Sequence, residues 1–213
     1  MKKTFFDLTD GWFIAKDEKN EGMTHGWEKE IVGAAIPAAV PSIIQQFFPG
    51  YHGLAYYWCR FTPTVDMSEG DRTILRFGGV DYKADVWLNG VYLGADESGE
   101  TPFSFDATDA IKIGEENLLA VRVLNPTEVE IDGLSRVNTP HRNKGAKRSA
   151  GSSLNHGGIW YGVHIDVTPA SYIADLYAAP NAKNGEVDIE LTFGGESFEN
   201  AVADVRIFKL PML

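Results

Sequence analysis

Phe77-Gly78-Gly79-Val80-Asp81-Tyr82-Lys83-Ala84-Asp85-Val86-Trp87-Leu88-Asn89-Gly90-Val91-Tyr92-Leu93-Gly94 is the most informative run in the chain. Ala84, Val86 and Leu88 alternate with Asp85, Trp87 and Asn89, the period-2 pattern of a half-buried strand. Asn89-Gly90 supplies two residues that tolerate positive φ, the strongest short hairpin signal. Val91, Tyr92 and Leu93 return as the partner strand, which Gly94 is expected to end. The run reads as two antiparallel strands and a tight turn.

The same alternation recurs on both sides. Trp12-Phe13-Ile14-Ala15 reads as a first strand, and Asp17 to Gly26 as a polar connection. Ala35 to Ser42 is extended, because Pro37 and Pro41 bias their predecessors away from helix. Ile43 to Phe48 fits one helical turn, stopped by Pro49-Gly50. From Ala55 onward the strands follow closely. Tyr57, Cys59 and Phe61 share one face, with Tyr56, Trp58 and Arg60 on the other. Thr73 to Phe77, Phe103 to Phe105, Asn117 to Leu124 and Val163 to Val167 complete the series. Short strands separated by Gly, Pro, Asn and Asp turns indicate an all-β sandwich or jelly roll.

The chain has 213 residues, room for one large β domain and part of another. Its 19 Lys and Arg against 30 Asp and Glu give a net charge of -11, which repels a nucleic acid or an anionic membrane surface. The single cysteine, Cys59, excludes an internal disulfide framework and a zinc ribbon, and its aromatic neighbours predict a buried, inert thiol. Met1-Lys2-Lys3-Thr4 resembles the n-region of a signal peptide, but Asp7 and Asp10 interrupt any apolar h-region. A soluble chain is expected, cytoplasmic or periplasmic.

Two stretches depart from strand-turn-strand economy. Residues 125–157 form a connection far longer than the ~4–6-residue median. Between Gly133 and Ile165 there is no Asp or Glu, while Arg136, Arg142, Lys144, Lys147 and Arg148 fall there with His141 and His156. Such a reversal in an acidic chain suits either a solvated loop or one that reaches an anionic group. Beyond Thr168-Pro169-Ala170-Ser171, Tyr172 to Ala179 and Glu186 to Phe193 read as strands, and Ala203, Val205 and Ile207 suggest a third. About 42 residues follow Ser171, against roughly 100 for an immunoglobulin-like sandwich, so a truncated second domain is expected.

These words, in this order, resemble the N-terminal sugar-binding domain of glycoside hydrolase family 2, the β-galactosidase, β-glucuronidase and β-mannosidase group. The resemblance is carried by Tyr56-Tyr57-Trp58-Cys59-Arg60-Phe61, by the Phe77–Gly90 run, and by Leu93-Gly94 followed by Pro102-Phe103-Ser104-Phe105-Asp106-Ala107-Thr108. Gly114 to Val123, Gly157-Gly158-Ile159-Trp160 with Val163, and Tyr172-Ile173-Ala174-Asp175 continue it. It implies a galactose-binding-like jelly-roll β-sandwich over residues 1–169 and the beginning of an immunoglobulin-like β-sandwich over 170–213. It also implies a C-terminal (β/α)8 barrel carrying both catalytic carboxylates of a retaining glycosidase.

No catalytic residue, metal ligand or cofactor is expected within this chain. Asn20-Glu21 is followed by Gly22 where the family's acid/base motif has proline. Glu128 and Glu130 share a face of an extended stretch that no cleft surrounds. In the β-galactosidase and β-glucuronidase branches an Asp six residues before the Gly-Ile of the closing strand reaches the sugar. Ser152 stands at that position here. A serine donates a hydrogen bond to a hydroxyl but does not replace a carboxylate. Ser152, Ser153, Asn155, His156 and Arg142 are the candidate substrate-binding residues, and the basic loop suggests an acidic or sulfated sugar. Three readings stand: an accessory region of a family 2 glycosidase, silent alone; a free-standing carbohydrate-binding module with Trp87, Trp160 or Tyr161 as a stacking platform; and an oligomeric adhesion protein, which no stretch specifies.

Overall fold

The computed structural model of the chain describes residues 3–139, 155–195 and 202–206. The chain divides into two compact units, Met1–Val167 and Thr168–Leu213.

The first unit is an antiparallel β-sandwich. Its strands are β1 (Phe5–Asp7), β2 (Trp12–Lys16), β3 (Ile36–Pro37), β4 (Gly53–Phe61), β5 (Arg72–Phe77), β6 (Val80–Asp81), β7 (Lys83–Leu88), β8 (Val91–Glu97), β9 (Phe103–Asp106), β10 (Asn117–Asn125), β11 (Gly158–Ile159) and β12 (Val163–Thr168). One short helix, α1 (Ile44–Phe47), stands where the helical turn was expected. A six-stranded sheet runs β3-β2-β4-β10-β7-β8, a four-stranded sheet runs β1-β12-β5-β9, and β11 pairs with β6 in a small ladder. The peptide bonds Val40–Pro41 and Asp81–Tyr82 are cis.

Alternation decides what fills the space between the sheets. Tyr57, Cys59, Ala84, Val86, Leu88, Leu119, Val121 and Val123 point inward from the six-stranded sheet to meet Leu75, Phe77, Val163 and Ile165. Phe77 stacks on Phe103 with ring centroids 4.8 Å apart. Burying such side chains stabilises by roughly 1.5–3 kcal/mol each. Cys59 belongs to this core, and burial pushes its thiol up to about 12.

The hairpin turn is held from three sides. Asn89 and Gly90 take φ of 52° and 78°. The Asn89 amide donates to the Ala110 carbonyl (2.8 Å) and to Asn117 Oδ1 (2.8 Å), and its Oδ1 accepts from the Leu118 amide (3.0 Å). Gly94 does not end β8. Val86 pairs with Gly94 and Trp87 with Tyr92, so Leu93 is a bulge residue and the strand continues to Glu97. A Cβ at Gly94 would stand 2.5 Å from the Phe105 ring, which is why glycine is needed there.

The outer face of the six-stranded sheet is more buried than period-2 alternation implies. Tyr56, Trp58 and Trp87 form a second apolar cluster with Ala15 and Ala120, covered by Trp27, Ile31, Val32 and Ala35 from the connection after β2. Tyr56 stacks on Trp58 at 5.6 Å, and the Trp58 indole donates to the Trp27 carbonyl (2.7 Å). Buried Asp17 secures the start of this connection by accepting from the Glu21 (2.9 Å) and Gly22 (3.0 Å) amides.

The second unit is the hairpin β13 (Ser171–Asn181) and β14 (Glu186–Gly195), with Ile173 opposite Phe193 and Leu176 opposite Leu191. Residues 202–206 carry no strand, so the third strand expected at Ala203 and Val205 is not formed there, and Ile207 lies outside the described residues. Among the described residues no helix is long and apolar enough to cross a membrane.

Candidate functional site

Asn155 and His156, the described members of the candidate set, lie on the approach to β11, where it meets α1 and the end of β10. The Gly157-Gly158 doublet makes this junction possible. A Cβ on Gly157 would lie 2.6 Å from Asn125 Cβ and from the Asp81 carbonyl. Gly158, at φ +145°, has the Ser42 carbonyl 2.7 Å from its would-be Cβ. Such close approach lets the Ile159 carbonyl accept from the Ser42 amide (2.7 Å) and the Gly157 carbonyl from the Ile44 amide (2.7 Å). The other doublet, Gly78-Gly79, lies beneath Trp160 and Tyr161, with Tyr161 Cβ 2.6 Å from a Cβ built on Gly78.

Polar side chains line the same junction. Gln45 Oε1 accepts from the Gly157 amide (3.3 Å), and its Nε2 donates to the Tyr51 carbonyl (2.6 Å). His52 Nδ1 lies 3.1 Å from Asn125 Nδ2 and 3.4 Å from Gln45 Nε2. With the proton on Nε2, the ring accepts both contacts. Asn155 donates to the Pro126 carbonyl (2.8 Å), tying the approach to β11 to the chain leaving β10. A cavity of about 430 Å³ opens beside Asn155, lined by Tyr51, His52, Glu128 and Arg136 among others.

Of the five candidates, Asn155 and His156 are seen, both half-buried, and Asn155 lines this cavity. Ser152, Ser153 and Arg142 lie outside the described residues. Glu128, expected outside any cleft, lines this cavity, where it pairs at 2.9 Å with Arg136, the first cation of the basic run. Gln45, Tyr51 and His52 were not singled out from sequence. The available signal was a glutamine pair in an apolar helical turn, with His52 immediately before β4.

Trp87 is 5% exposed and serves as packing. The Trp160 indole donates to the Gly99 carbonyl (2.9 Å), while Tyr161 remains exposed. Among the described residues no three His, Cys, Asp or Glu side chains converge as a metal site would need.

A second polar centre lies on the outer face of the sheet. Arg122 on β10 is almost fully buried and reaches three partners: Asp85 on β7 (3.2 Å), the Asn20 amide oxygen (2.8 Å) and Asp132. Asn20 Nδ2 in turn donates to Asp132 Oδ1 (2.9 Å). Burial alone would raise the Asp132 carboxyl, but the hydrogen bonds from Arg122 and Asn20 hold it below its ordinary value. The network fastens two long connections, residues 17–35 and 126–139, onto the sheet.

Known proteins place this architecture. Residues 27–134 match the family described as glycosyl hydrolases family 2, sugar binding domain. A β-galactosidase of Thermoanaerobacter pseudethanolicus is 27% identical over 91% of this chain and 24% of its own length. A β-glucuronidase of Bacteroides fragilis is 34% identical over 53% of this chain and 14% of its own. Among solved structures, a β-glucuronidase from an uncultured Clostridium species superposes with a TM-score of 0.70 at 24% identity, over 91% of this chain and 34% of that one. The apo β-glucuronidase of Ruminococcus gnavus gives 0.72 at 23% identity, over 92% and 34%. The chain thus spans about a third of the solved proteins it matches and at most about a quarter of these curated relatives. With more than half of its length in the family's domain, the chain belongs to glycosyl hydrolases family 2 as a sugar binding domain.

Proposed function

We propose that this chain is the accessory sugar-binding region of a family 2 β-glycosidase whose catalytic carboxylates lie outside these 213 residues. The names of its relatives point to a β-glucuronidase or β-galactosidase activity for the whole protein. The observation that carries the reading is the Asn155 junction, where a cavity of about 430 Å³ opens beside a residue that the sequence assigns to the sugar. Asn155 and His156 contact the glycoside, Ser152 and Ser153 offer hydroxyls, and Arg142 supplies a cation toward an acidic or sulfated group. The partners are that glycoside and a C-terminal (β/α)8 barrel that closes the pocket from the other side. Residues 170–213 would begin an immunoglobulin-like sandwich that precedes the barrel in the sequence. The reading fits a cytoplasmic or periplasmic enzyme.

The complete protein tests this reading. Asn155→Ala and Arg142→Ala should each raise KM for p-nitrophenyl β-D-glucuronide about tenfold, a loss of roughly 1.4 kcal/mol of substrate binding, with the circular dichroism unchanged. An unchanged KM in both variants would remove the junction from the pocket.

A further inference from the structure

We infer that the outer face of the six-stranded sheet carries a second carbohydrate site, built on Tyr92, that takes a neutral hexopyranose unit. The inference rests on the sugar-binding reading of the domain but uses none of the residues around Asn155.

β8 is the last strand of the six-stranded sheet. Tyr92 is 53% exposed yet held in place. Its ring lies 5.2 Å from Trp87, and its hydroxyl donates to Asp85 Oδ1 (3.3 Å). A cavity of about 710 Å³ runs from this ring past Lys83 to Met23, Asn20 and Asp132. That size falls within the ~300–1,000 Å³ of small-molecule sites.

One wall of the cavity is apolar and the other polar, as a pyranose with a C–H face and a hydroxyl edge requires. Tyr92 and Met23 form the apolar wall, since Trp87 is buried beneath. The acceptors are held rigid by Arg122. Asp85 receives Arg122 on Oδ2 and Tyr92 on Oδ1, and Asp132 receives Arg122 on Oδ2 and Asn20 on Oδ1. Each carboxylate oxygen retains lone-pair capacity for a sugar hydroxyl, and fixed acceptors lower the ordering cost of binding. Charge decides the class of sugar. Lys83 and Arg122 balance Asp85 and Asp132, two positive against two negative, so the lining is formally neutral. A uronate gains no net attraction there.

Titration of the 213-residue chain with β-1,4-linked glucotetraose, galactotetraose and oligoglucuronate, read by calorimetry, tests the site. One neutral tetraose should saturate a single site with Kd below about 1 mM. Tyr92→Ala should weaken it about tenfold, Tyr92→Phe should keep most of it, and Tyr177→Ala, which removes an exposed ring of β13, should leave it within about twofold. The circular dichroism of both Tyr92 variants should match the parent chain, and Tyr92→Ala, which loses the Trp87 ring contact and the Asp85 hydrogen bond, should lower Tm by no more than a few degrees. The inference is overturned by no neutral binding at about 10 mM, by tighter oligoglucuronate binding, or by Tyr92→Ala without effect. Equal weakening by Tyr177→Ala would also overturn it while preserving the sugar-binding reading, whose own test is KM in the complete protein.

Discussion

Replacing Arg122 by methionine keeps the packed stem of the side chain and removes its charge. The side chain is 6% exposed, against 17% for Asp85 and 35% for Asp132. Each charge-assisted hydrogen bond to a poorly solvated carboxylate is worth about 1.5–3 kcal/mol. The Asp85 contact is long at 3.2 Å, placing it at the low end. Asp132 is exposed enough to rehydrate, so its share is discounted to about 1 kcal/mol. Relief of the guanidinium's own desolvation offsets part of the loss. The bond to Asn20 (2.8 Å) adds about 1 kcal/mol, so the net expectation is about 2–3 kcal/mol, which at a urea m-value of ~2 kcal/mol/M lowers the midpoint by about 1–1.5 M. All five tryptophans lie between Trp12 and Trp160, so intrinsic fluorescence reports the first unit alone. Adding Asp85→Asn and Asp132→Asn to Arg122→Met should recover at least about 1 kcal/mol, because no carboxylate is then left uncompensated. A loss below about 0.5 kcal/mol, or no recovery in the triple variant, would refute the role of the network as the fastener of both connections.

The remaining expectations are simpler. Lowering the pH should weaken the Arg122 network. The Asp132 carboxyl is depressed in the folded state, so its contribution is complete above the ordinary carboxylate range and is lost as pH falls below about 4. Asp132→Asn should flatten that acid limb of the urea midpoint. Asn89→Ala should cost about 2–4 kcal/mol, through lost hydrogen bonds and a positive φ, whereas Asn89→Gly keeps the backbone and should cost less. Gly158→Ala should lower the urea midpoint by a similar amount, since its Cβ would meet the Ser42 carbonyl; a neutral result would mean that α1 and β11 separate easily. Cys59 should resist a thiol reagent at pH 8 in the folded chain and react fully in urea, because burial holds the thiolate out of reach.

The strands were legible because each one carries its own alternation. β4, β7, β10 and β12 need only the residues within them, and Asn89-Gly90 fixes the register of β7 on β8 locally. The glycine doublets were visible as words, but their reason was not. Gly78 and Gly158 answer to Tyr161 and Ser42, which are distant in the chain. Arg122 looked like an ordinary outward residue of an alternating strand. Its burial depends on Asn20, 102 positions away, which no local pattern reports. The second apolar cluster left a trace, since Tyr56 and Trp58 are too apolar for a bare outer face, and Trp27, Ile31 and Val32 follow the polar connection that covers it. At the candidate site, Asn155 was a candidate as a neighbour of Ser152, the position that the family resemblance implies, whereas Gln45 and His52 arrive from elements that only the fold brings together.

The proposed division of labour between this domain and a separate catalytic one is tested most directly by the chain itself. Purified residues 1–213, incubated with p-nitrophenyl β-D-glucuronide, β-D-galactoside and β-D-mannoside, should release nitrophenol no faster than buffer. Saturable turnover that survives repurification, and that a single carboxylate substitution within the chain abolishes, would contradict the account.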